Sequence, residues 1–113
     1  MTRRTRLRRY ADILRVRRRG SRIETAHVVV LVAPGGSGVS RSVVSVARKF
    51  GSAVKRNRLR RQLTELLRIE LPYFERSVDI VVFPRFSAVD ASFMQLRGSI
   101  KEALRQMGSG ARV

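Results

Sequence analysis

Residues 49–68 read KFGSAVKRNRLRRQLTELLR, and no other stretch constrains the fold as much. Leu59, Leu63, Leu66 and Leu67 recur at helical spacing, so they form one side of a helix that needs an apolar surface to pack on. Asn57, Arg58, Arg61 and Arg68 fall on the other side and face outward. Gly51 and Ser52 open the helix, with Ser52 as its N-cap, and Pro72 lies just past its end. The front of this helix is built against its own electrostatics. Lys55 and Arg56 sit in the first turn, where the backbone N–H groups already amount to roughly half a positive charge. Each added cation costs about a few tenths of a kcal/mol or more there. Like-charge neighbours such as Arg56 with Arg60, or Arg58 with Arg61, add roughly 0.2–0.5 kcal/mol each, and no acid precedes Glu65. A phosphate backbone reverses every one of these signs, because free N–H groups, helix dipole and arginines then attract one anion. Asn57 can both donate and accept on backbone or sugar groups.

The distribution of charge supports that reading over a merely solvated basic face. The chain has 113 residues, 25 Lys or Arg against 8 Asp or Glu, and a formal net charge of +17. Residues 1–22 hold ten Arg and one acid, Asp12, and residues 48–61 hold seven Lys or Arg and no acid. From Gln62 onward seven basic residues meet six acids, so the excess sits in two blocks rather than over the whole surface. Such a chain calls for a polyanionic partner, nucleic acid before an anionic membrane. With 43% hydrophobic residues it still folds around a core, as one domain over residues 1–113. Residues 1–5 and 108–113 are expected to be flexible ends. The longest apolar run, residues 27–33, is far short of a membrane span, and the basic N-terminus has no apolar signal core. No cysteine is present, which excludes disulfides, cysteine metal sites and thiol catalysis. A cytoplasmic protein fits best.

Periodicity predicts a helix over residues 6–19, with Leu7, Tyr10, Ile13, Leu14 and Val16 as a narrow apolar side ended by Gly20 and Ser21. Residues 22–33 read as one or two Val-rich strands, and residues 34–38 (PGGSG) as a turn or loop. Residues 42–48 read as a further strand region, with a hairpin expected across that loop. Residues 78–83 form a short apolar strand, and residues 88–107 carry a helical pattern in Phe93, Leu96, Ile100, Ala103 and Leu104. A mixed sheet with helices packed on it follows, and residues 42–83 can make a parallel strand–helix–strand crossover.

No protein active site is visible. The eight acids show no spacing suited to metal ions, and the lone His27 starts a strand, where a structural role is the ordinary one. The loop at residues 34–38 lacks the Lys of a phosphate-binding P-loop.

The basic helix and its approach resemble the signature of the bacterial ribonuclease P protein subunit. The likeness rests on Arg48-Lys49-Phe50-Gly51, Ala53-Val54, the Arg56-Asn57-Arg58 core and Arg60-Arg61, and is densest over residues 46–65. A looser likeness covers residues 6–20, and Asp79-Ile80-Val81-Val82-Phe83-Pro84-Arg85 is similar to the strand that follows the family's motif helix. The resemblance implies an α/β (α+β) two-layer sandwich similar to ribosomal protein S5 domain 2, in the order α-β-β-β-α-β-α, with a left-handed βαβ crossover. It implies a subunit of an endoribonuclease that binds a large catalytic RNA and helps remove 5′ leaders from precursor tRNA. The RNA subunit and its Mg²⁺ would do the hydrolysis, with no cofactor or metal in the protein, and the free protein is expected to be a monomer. Arg48, Lys49, Lys55, Arg56, Asn57, Arg58, Arg60 and Arg61 would touch the RNA subunit. A cleft between the first helix and the open sheet face would hold the leader, with Ile13, Arg17, Val29 and Leu31 as its residues. Ile13 stands where the family usually has Phe and Leu31 where it often has an aromatic, and Arg17 also falls where an aromatic occurs. Ala47 replaces a common Ser and Thr64 a common Arg. Ile13, Val29 and Leu31 equally suit an ordinary core.

Two other classes compete. A structural RNA binder such as a ribosomal protein would use the same basic surfaces without turnover. A DNA-binding regulator would need a base-reading recognition helix and often a dimer seam, yet the leucine side here is consumed by the sheet.

Overall fold

The computed structural model describes residues 5–36 and 38–110 of the chain. Helix α1 spans Tyr10–Arg19, strands β1 and β2 span Ser21–Glu24 and Val28–Pro34, and β3 spans Arg41–Val44. Helix α2 spans Ala53–Glu70, β4 spans Val78–Pro84 and α3 spans Phe93–Gly110. The order is the α-β-β-β-α-β-α one that the resemblance implies. The expected flexible ends lie outside the described residues at 1–4 and 111–113, and α3 continues through Gly110.

The four strands lie in the order β1-β2-β4-β3. β4 occupies the centre because its run VDIVVFP is apolar on both faces and six of its seven residues are buried. It pairs antiparallel with β2 over seven residues, Val28 opposite Pro84 through Pro34 opposite Val78, and parallel with β3 from Arg41–Asp79 to Val44–Val82. The hairpin expected across residues 34–38 is therefore absent: β4 lies between β2 and β3, and the hairpin forms one connection earlier, between β1 and β2. The two long Val-rich strands pair with each other, and the four-residue β3 is left to the edge.

Alternation along the strands divides the core. Val28, Val30, Val78, Ile80 and Val82 point to one face, where Leu59, Leu63, Leu66 and Leu67 of α2 meet Leu96, Ile100, Ala103 and Met107 of α3. The opposite face carries a smaller cluster of Leu7, Val16, Ala33 and Val81 under α1, with Ile13, Leu31, Val43 and Phe83 around it. Helix α1 begins at Tyr10 rather than residue 6, because Thr5 and Leu7 exchange backbone hydrogen bonds with Ser42 on the β3 edge. Leu7 is thus buried as part of an extended segment, while Tyr10, expected on the apolar side, is exposed. At the other end of α1, Gly20 is required by close approach, since a Cβ there would lie 2.4 Å from the Val16 carbonyl oxygen. Among the described residues no helix is long and apolar enough to cross a membrane.

Candidate nucleic-acid interface

The basic segment is presented by a built turn, not a loose loop. Arg48–Phe50 form a 3₁₀ turn pinned by Phe50, which is buried and stacked on Phe86 with ring centroids 4.9 Å apart. Gly51 then takes φ +121°, a conformation L residues avoid, and reverses the chain into α2. Ser52 caps the helix as the sequence predicts, its Oγ accepting from the Lys55 N–H at 3.3 Å. With the four leucines turned inward, Lys55, Asn57, Arg58 and Arg61 are exposed, and Arg56 and Arg60 are half-buried.

The cations of this chain fall into two groups. Arg22 pairs with Glu24, Arg68 with Glu65, Arg97 with Glu70 and Arg105 with Glu102. The hydrogen bond from Arg68 holds the Glu65 carboxyl below its ordinary range and raises the guanidinium. By contrast, Arg48, Lys49, Lys55, Arg56, Arg58, Arg60 and Arg61 make no ion pair with a carboxylate among the described residues. Arg60 donates to Asn57 Oδ1 at 2.6 Å, which orients both side chains. The Arg56 Nε is buried with no hydrogen-bond partner. Seven uncompensated cations on one helix start and the turn before it make a strongly electropositive surface.

A groove runs from this surface toward α1. Asn57, Arg60 and Arg61 line a hollow of about 550 Å³ with Arg6 and the β3 edge. Arg60 also lines a second hollow of about 260 Å³, whose other walls include Ile13 and Arg17 of α1, Val43 and Val44 of β3, and Phe83 of β4. Of the four residues predicted for a leader cleft, Ile13 and Arg17 line this hollow. Leu31 packs in the small cluster under α1, and Val29 stands opposite Phe83 on the same sheet face without lining it. Arg48, Lys55, Arg56 and Arg58 line none of these hollows; Arg48, Lys55 and Arg58 are exposed, while Arg56 is half-buried with its Nε turned in. A further hollow of about 630 Å³, between the β2–β3 connection and the end of α2, contains none of the predicted site residues.

Two features escaped sequence reasoning. Phe83 supplies an aromatic ring to the cleft, with the Arg17 guanidinium 5.6 Å from its centroid. Period-two alternation from Asp79 through Val81 to Phe83 was the available signal, since it puts all three on the α1 face. The second is Asp79, whose side chain is fully buried. It accepts from Arg41 Nε and Nη2 at 3.0 and 2.8 Å and from Arg15 Nη2 at 2.5 Å. Its hydrogen bonds hold the Arg41 guanidinium above its ordinary value. This cluster ties α1 to β3 and β4 and so sets the cleft wall. His27 precedes β2, where its ring Nδ1 lies 2.9 Å from Ser87 Oγ and its backbone N–H donates to Ser99 Oγ at 2.9 Å.

The family model described as ribonuclease P matches residues 1–108. The chain belongs to the ribonuclease P protein family. A ribonuclease P protein component from Chloroflexus aggregans is 37% identical over 107 residues, covering 94% of this chain and 79% of that one. The ribonuclease P protein of Thermotoga maritima superposes with a TM-score of 0.80 at 31% identity, covering 89% of this chain and 96% of the other. That of Staphylococcus aureus gives a TM-score of 0.81 at 26% identity, covering 91% and 94%. Membership carries the general role of a protein component of ribonuclease P, a tRNA-processing endoribonuclease.

Proposed function

We propose that the protein binds the catalytic RNA of ribonuclease P through the uncompensated face of α2 and the turn before it. The single-stranded 5′ leader of precursor tRNA lies in the cleft beneath α1. Hydrolysis belongs to the RNA subunit and its Mg²⁺, and the free protein is a monomer whose role is to position substrate. The observation that carries this reading is the segregation of charge. Seven cations from Arg48 to Arg61 lack carboxylate partners among the described residues, while Arg22, Arg68, Arg97 and Arg105 have them. A helix start that repels its own first turn is stabilised by phosphate. Each phosphate neutralised releases counterions, so engaging six to ten of them would weaken binding roughly 10³- to 10⁵-fold between 50 and 200 mM salt.

The test compares two arginines on the same helix. Arg58→Ala is expected to weaken RNA-subunit binding and to lower the salt slope by about 1. Arg68→Ala, which removes a cation already paired with Glu65, is expected to leave both nearly unchanged. Equal losses for the two variants would refute the assignment of the RNA to the front of α2. Leader binding is tested separately, by the preference of the assembled complex for precursor over mature tRNA.

A further inference from the structure

We propose that the Phe86 ring, backed by Phe50, is a stacking platform for one unpaired base of the 5′ leader where that strand leaves the cleft beneath α1. The inference rests on the leader reading above and adds a position to it. Phe86 lies in the 3₁₀ turn Phe86–Val89 that follows β4, and it is 59% exposed. Despite that exposure the ring is supported, because it stacks on buried Phe50 at 4.9 Å with 28° between the planes. A supported ring loses little conformational freedom when a second ring stacks on it, and every nucleobase has a π-face to offer.

Charge selects the occupant. Phe86 lines a hollow of about 590 Å³ with Arg17, Lys49 and Arg85, and no carboxylate lines it. The Lys49 ammonium lies over the Phe86 ring, 4.9 Å from its centroid, so a base stacking on that ring displaces it and leaves it within reach of the phosphate attached to that base. An apolar peptide side chain could use the ring but would leave Arg17 and Lys49 without an anion, Arg85 being already bonded to the Thr25 carbonyl. Continuity selects the leader over other RNA: Arg17, Ser45 and Phe83 line both this hollow and the smaller one beneath α1. A strand running along the cleft past Phe83 therefore arrives at Phe86. Ile13, which lines the cleft from α1, is aliphatic, and the exposed ring stands at the far end instead.

The experiment measures the affinity of the assembled holoenzyme for precursor and mature tRNA, with wild-type protein, Phe86→Ala and Phe86→Trp. Phe86→Ala is expected to weaken precursor binding about 5- to 100-fold and to leave mature tRNA unaffected, while Phe86→Trp stays near wild type. An abasic nucleotide moved along the leader should find one position that costs the wild type a similar factor and costs Phe86→Ala nothing further. The platform is refuted if Phe86→Ala binds precursor normally, or if it weakens precursor and mature tRNA alike. Loss of precursor binding by Phe86→Trp, which keeps an aromatic ring against Phe50, also refutes it. A wild-type holoenzyme that does not distinguish precursor from mature tRNA would sink the leader reading itself. Leader preference that persists undiminished in Phe86→Ala sinks the platform alone.

Discussion

Replacing Asp79 by Asn removes one charge from the centre of the sheet and leaves two arginines facing it. Asp79 is fully buried, is held by Arg41 through two hydrogen bonds and by Arg15 through a third, and has no solvent to fall back on. Removing one partner of a buried ion pair costs about 3–5 kcal/mol. Here the lower end applies, because Arg15 and Arg41 are 35% and 20% exposed and Asp12 lies 3.9 and 3.6 Å from them. With an unfolding entropy of about 2.1 cal/mol/K per residue, a loss of about 3 kcal/mol lowers Tm by roughly 10–15 °C in a chain of this size. Thermal melting followed by far-UV circular dichroism reads this directly. Arg15 is on α1, so the substitution also loosens the wall of the proposed leader cleft. Below the melting transition, preference for precursor over mature tRNA should fall while RNA-subunit binding through α2, on the other sheet face, is kept. A Tm within about 4 °C of wild type would show that the cluster does not hold α1 in place. Loss of RNA-subunit binding with leader preference intact would invert the assignment of the two faces.

Three other substitutions probe the remaining layers. Leu63→Ala empties a fully buried site between α2 and the sheet and should cost about 2–5 kcal/mol by denaturant titration; a midpoint shift near zero would mean that the helix faces are misassigned. Ser52→Asp keeps an N-cap oxygen and places an anion beside Lys55 and Arg56, so it should stabilise the free protein by roughly 0.3–1 kcal/mol and weaken RNA binding. A variant that melted lower, or bound RNA as well as wild type, would contradict the electrostatic account of α2. Hydrogen bonds from Arg105 and then Gln106 push the Glu102 carboxyl down to about 2 from an ordinary 4.5. Its contribution to stability is therefore present above about pH 4.5 and lost as pH falls through about 2. Glu102→Gln should show a shallower loss of Tm over that window than wild type, and parallel curves would refute the pairing.

The parts of the fold that follow local rules were legible. Ser52 caps α2, Pro72 follows it, and the four leucines are buried at the spacing that announced them. Strand partners were not, because pairing depends on which long apolar strands find each other and not on which segments adjoin in the chain. Residues 42–48 adjoin β2 across a Gly-rich loop, yet β4 took the central place by being apolar on both faces. The start of α1 was misread for a similar reason: Leu7 matches a helical pattern, but its backbone serves the β3 edge.

The basic surface was readable because charge clustering at a helix start has one sign whatever the fold. The cleft was harder. Ile13 and Arg17 were placed in it from α1, whereas Phe83 and Phe86 come from beyond α2 and reach the same groove only through the parallel β3–β4 pairing. Asp79 reads as a polar interruption of an apolar strand. Its two arginines, 64 and 38 residues distant in the chain, appear beside it only after folding.

The most direct test of the central claim is precursor-tRNA cleavage by the same organism's ribonuclease P RNA at low Mg²⁺, with and without this protein. Cleavage that requires the protein, and that fails with Arg58→Ala while persisting with Arg68→Ala, is the predicted result. An RNA whose cleavage is indifferent to the protein, while other structured RNAs bind it tightly, would contradict the account.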